Sequence, residues 1–108
     1  MKKEQNTSGL RIVDQIRTMH CREYDLACED GRLTVHVEPA GDAWRVDARG
    51  RRASRVGSSP TTASETAPTR LEALRAVAAS WKDGAQQHGM TMFDWEAVEK
   101  LLVGVRAL

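Results

Sequence analysis

Two His–Cys groupings in the first third of the chain have the side chains to bind a metal: His20 with Cys21, and Cys28 with His36. Their spacing argues against it. Six residues separate the two cysteines, whereas paired zinc ligands are usually two to four residues apart. The alternation described below also puts Cys28 and His36 on opposite faces of a sheet. The expectation is no metal and no cofactor, with Cys28 a small core hydrophobe and His36 beside Asp25.

No catalytic constellation stands out. The chain has no G-x-S-x-G elbow, no G-x-x-x-x-G-K-[ST] loop and no G-x-G-x-x-G turn. His36 with Asp25 makes a two-member arrangement on an exposed sheet. With three Trp, one Tyr and one Phe, a deep aromatic-lined ligand cavity is not expected. The chain reads as a non-enzyme.

Two binding features remain. In the stretch ARGRRASRVGSSPTT, Arg49, Arg51, Arg52 and Arg55 lie between Asp47 and Glu65 with no acid among them. Such a cluster can contact phosphates, but no aromatic residue is interleaved for base stacking. The stretch MTMFDW places Met92, Phe93 and Trp95 together as a small apolar patch. Trp is enriched at binding hot spots, so these three are the candidate partner-binding residues. The four arginines are the candidate nucleic-acid-binding residues.

Composition bounds the rest. At 108 residues, 41% hydrophobic and 29% charged, the chain fits one globular domain. Its net charge of +1 excludes wholesale attraction to nucleic acid or anionic membrane. Two cysteines are too few for a disulfide scaffold. No apolar run is long enough to span a bilayer, and no apolar segment follows the polar start to make a signal peptide. A cytoplasmic, bacterial protein is the expectation; the Arg and Ala bias suggests a GC-rich genome.

The elements that must position these residues follow from periodicity. Residues 1–8 read as a disordered tail. Ile12, Val13, Ile16 and Met19 recur at helical spacing after Ser8, which predicts a helix over 9–19. Tyr24, Leu26 and Cys28 alternate with polar residues, as do Leu33, Val35 and Val37, then Trp44, Val46 and Ala48. This predicts strands at 22–29, 32–38 and 43–49. A turn at Asp30-Gly31 sets Leu26 opposite Val35, and one at Ala40-Gly41 sets Val35 opposite Val46. All the apolar residues then share one face; Glu23, Asp25, Thr34, His36, Arg45 and Asp47 share the other.

Residues 50–68 read as a long flexible loop. Thr69-x-x-Glu72 is a capping box, and an apolar stripe predicts a helix over 70–83, stopped by Gly84. A second cap at Thr91-x-x-Asp94 predicts a helix over 93–107. The fold class is therefore α+β: a three-stranded antiparallel meander covered on one face by helices, in a single domain over 9–108.

Helix, three strands, helix is also the element order of double-stranded-RNA-binding domains. The last helix here begins Thr69-Arg70-Leu71-Glu72 and the first hairpin is acidic, so the basic surfaces of those domains are not reproduced. The function expected is a small non-catalytic protein-interaction or regulatory module. It would bind a protein partner or a second copy of itself, through a strand edge or the MTMFDW patch. The alternative is nucleic-acid binding through 49–55.

Overall fold

The computed structural model describes residues 10–28, 31–52, 61–88 and 94–108. They form an α+β fold with five strands followed by two helices: β1 (Arg11–Arg17), β2 (Arg22–Cys28), β3 (Gly31–Ala40), β4 (Ala43–Arg52), β5 (Thr61–Ala67), α1 (Arg70–His88) and α2 (Trp95–Gly104). The strands pair antiparallel in sequence order as one open sheet, with β1 and β5 at its edges.

The central meander is as the alternation predicts, but both registers are displaced by two residues. Leu26 faces Leu33 rather than Val35, and Val35 faces Ala48 rather than Val46. A two-residue shift keeps every side chain on its face, so burial could not distinguish the registers. The second turn is Gly41-Asp42 between the paired Ala40 and Ala43. Gly41 adopts φ +64, the left-handed conformation that glycine enters freely at the first position of such a turn.

Two expected elements differ. Residues 9–19 hold no helix where described; Arg11–Arg17 is an edge strand, which also removes the element order shared with RNA-binding domains. Ile12 and Ile16 are four apart, a spacing that helix and strand both place on one side, and β-branched residues favour the strand. A bulge at Val13 then changes the face: Ile12 pairs with Leu26 on the covered side, and Ile16 with Glu23 on the open side. The stretch 50–68 is not one loop either. β4 continues to Arg52, and Thr61–Ala67 is β5. Arg55 and the rest of 53–60 lie outside the described residues, as does the expected tail at 1–8.

One sheet face is covered. Tyr24, Leu26, Leu33, Val35, Val37, Val46 and Ala48 form a core with Ala73, Leu74, Val77 and Trp81 of α1 and Trp95, Val98 and Leu102 of α2. α1 lies over β5 and β4, where Ala63 and Ala67 let it approach. Thr69 caps α1 by accepting from the Glu72 N–H at 3.1 Å. α1 then runs through Gly84 to His88, although one interior glycine costs a helix about 1 kcal/mol. α2 starts later than expected: Asp94 is its cap, accepting from Glu96 and Ala97. The helix ends at Gly104, with Arg106 at φ 61. The Arg106 N–H donates to Val103 and the Ala107 N–H to Leu102, the two bonds of a Schellman ending.

Candidate functional site

The uncovered face is built by the period-2 alternation that builds the core. Side chains opposite one another across the strands form polar pairs. Thr34 donates to Asp25 at 2.8 Å. Ser64 donates to Asp47, and Arg45 bonds Glu38. His36 lies between two carboxylates, with Nδ1 3.3 Å from Glu23 Oε1 and Nε2 3.0 Å from Glu38 Oε1. Sequence reading placed His36 beside Asp25; the two-residue register displacement gives it Glu23 instead, opposite on β2.

Burial alone pulls the His36 pKa down. Hydrogen bonds to Glu38 and Glu23, and their charges, outweigh it, so the net shift is upward. Glu38 moves the other way, held below the usual carboxylate range chiefly by its bond to His36 and further by the Arg45 charge. The imidazolium form is thus favoured in this setting.

An open depression of about 710 Å³ runs across β3, β4 and β5, lined by His36, Thr34, Asp47, Arg49, Thr62 and Ser64 among others. Its lining carries acids, one histidine and one arginine, a mixed surface that no single ligand charge matches.

The Thr18–Cys21 turn joins β1 to β2 and closes on itself. The Thr18 N–H donates to the Cys21 carbonyl at 2.9 Å, and the Cys21 N–H donates to Thr18 Oγ1 at 3.0 Å. This fixes Cys21 at the end of β2, where Sγ approaches Glu38 Oε1 at 3.9 Å. Cys28 is on the covered face and buried, across the sheet from His36. His20 lines a separate hollow with Met19, Trp44 and Arg70. Of the four metal-type residues noted in the sequence, the fold therefore brings Cys21 to His36 and separates the other two.

The sheet edge is the other exposed feature. Among the described residues, β1 pairs with a strand only on its β2 side. Ile16 is 54% exposed and Val13 42%, flanked by the charged Arg11, Asp14 and Arg17. Arg17 also reaches across to donate to the Val105 carbonyl at 2.9 Å, and Arg22 donates to that of Arg106. Two cations thereby meet the carbonyl end of α2, where the helix dipole favours positive charge.

The candidate residues taken from the sequence are not gathered in one place. Trp95 is 6% exposed and packs edge-on against Trp81, ring centroids 5.6 Å apart. Its indole belongs to the helical cover of the core and is not presented to a partner in this structure. Met92 and Phe93 lie outside the described residues. Arg49 is exposed on the open face, and Arg51 and Arg52 belong to β4. Sequence reading missed β1 as an edge and the Cys21–Glu38 approach, since both depend on pairing that no local motif announces. Comparison with protein-family models, curated proteins and solved structures finds no match to this chain.

Proposed function

We propose that this chain is a non-catalytic protein-interaction module that receives an extended segment of a partner protein along β1. The observation that supports it is the seven-residue edge strand with Val13 and Ile16 exposed. An edge strand with no described neighbour on one side offers backbone donors and acceptors to an added strand. Side chains beside it then set specificity: Ile16 supplies an apolar contact, and Arg11, Asp14 and Arg17 select by charge. The bulge at Val13 and those charges also discourage indiscriminate pairing.

A displayed library of random peptides tests this. Selected ligands should carry alternating apolar residues, and Ile16→Lys should weaken their binding about tenfold or more while its melting temperature stays unchanged. Ligands that bind the Ile16→Lys protein equally well would contradict the reading. If instead the protein self-associates with concentration, and Ile16→Lys prevents it, the partner is a second copy.

Nucleic-acid binding through Arg49, Arg51, Arg52 and Arg55 is the lesser reading. Arg49 shares its face with Glu23, Asp25, Glu38 and Asp47, and carboxylates repel a phosphate backbone. Four phosphate contacts would give a log–log salt slope of about −3 to −4 on duplex DNA. A slope that steep, lost when all four arginines become alanine, would favour this reading over the first.

A further inference from the structure

The open face brings together three metal-type donors that no spacing along the chain connects. The β2–β3 ladder pairs Arg22 with Val37, so the next position sets Cys21 opposite Glu38. His36 and Glu38 are two apart on β3 and so point to the same face. One donor atom each from Cys21, His36 and Glu38 fall within 4.8 Å of one another. Glu38 Oε1 is the shared point, 3.0 Å from His36 Nε2 and 3.9 Å from Cys21 Sγ.

We propose that Cys21, His36 and Glu38 form a three-residue site for a divalent transition metal of the zinc class. Zinc bonds of about 2.0–2.3 Å in a tetrahedron hold donor atoms roughly 3.3–3.7 Å apart. The two Glu38 distances bracket that range, and with all three donors within 4.8 Å the cysteine side must close further to hold an ion. Thiolate and imidazole select zinc, cobalt or copper over magnesium or calcium, which prefer all-oxygen sites.

The surroundings orient the set. Glu23 Oε1 at 3.3 Å from His36 Nδ1 accepts the Nδ1–H and leaves the Nε2 lone pair for the metal, the carboxylate–histidine–metal arrangement. Arg45 holds the far Glu38 oxygen, Oε2, leaving Oε1 to ligate. The Thr18 bonds fix the Cys21 backbone. Binding needs the Cys21 sulfur as thiolate and Nε2 without a proton, and whatever protons these atoms carry pass to solvent. A dication with one thiolate and one carboxylate is then neutral. The fourth position is open to water or to a partner's side chain.

The test is titration of the reduced full chain with Co²⁺, followed by Zn²⁺ displacement. We expect a thiolate-to-cobalt charge-transfer band in the near ultraviolet that Zn²⁺ abolishes. Cys21→Ser should lose the band and Cys28→Ser should keep it. His36→Gln should lose tight binding, and Glu23→Gln, a positioning change, should weaken it by about 10- to 100-fold. Circular dichroism establishes that each variant is folded, and Cys21→Ala provides a second removal of the thiol. Saturating Co²⁺ with no charge-transfer band, a band that survives Cys21→Ser, or full affinity in His36→Gln would overturn the proposal.

Discussion

Tyr24 is fully buried, and its hydroxyl has no hydrogen-bond partner among the described residues. A desolvated hydroxyl without a partner is a net cost, whereas the ring beneath it fills core volume. Tyr24→Phe should therefore raise the unfolding free energy by about 0.5–1.5 kcal/mol in urea denaturation; a loss of similar size would mean that the hydroxyl is satisfied. Arg75 and Glu99 present the opposite case. Their two-pronged bond, 3.1 and 3.0 Å, joins α1 to α2 and holds the Glu99 pKa below the ordinary glutamate value. A carboxylate depressed in the folded state contributes stability above its unfolded pKa and loses it as pH falls through the folded one. Arg75 is well exposed, so solvent screening keeps the contribution of the pair small. Glu99→Gln should destabilise slightly at neutral pH and by nothing at a pH where glutamate is protonated in both states. A penalty that persists in acid would point to lost packing instead of lost charge.

The helical cover depends on an aromatic junction at the scale of elements. Trp81 and Trp95 are the largest side chains joining α1 to α2. Trp95→Ala should cost about 3–5 kcal/mol of stability, and a variant that melts like wild type would show the indole to be dispensable to the core. Gly41 tests the β3–β4 turn. A Cβ there meets no atom within 4 Å, so Gly41→Ala should cost only the left-handed backbone penalty, about 1–2 kcal/mol. The three inner strands were legible in the sequence because each alternates strongly between Leu, Val or Tyr and charged residues. Their register was not. Asp30-Gly31 is a better turn signal than Glu29-Asp30, Gly41 can serve in either position of the second turn, and a displacement of two costs no burial. β5 was hidden by its composition, since the positions of Thr61–Ala67 that share a face with Ala63 and Ala67 include Thr61 and Glu65 and bury little apolar area per residue. β1 was hidden because β-branched residues at four-residue spacing satisfy both periodicities. The Met19-His20 turn that follows it lacks Gly, Pro or Asn. Of the candidate site, His36 and its neighbouring acids could be read on the open face from sequence. The approach of Cys21 to Glu38 could not, because it exists only in the displaced register.

At the scale of the whole molecule, the fold divides its labour by face and edge. Helices seal one face of the sheet, and the other carries a polar network with partners already in place. Among the described residues, the β1 edge combines a side with no neighbouring strand and exposed apolar side chains, while α1 lies over β4 and the β5 edge opposite. Among the described residues, no helix is long and apolar enough to cross a membrane. The account therefore rests on β1. Its most direct test is amide hydrogen exchange of the protein with and without a peptide selected against it. The account predicts new protection concentrated in residues 11–17 and an affinity reduced about tenfold or more, over 1.4 kcal/mol, in Ile16→Lys. Protection that spares 11–17 and appears instead over Trp95–Gly104, or across β4 and β5, would contradict it.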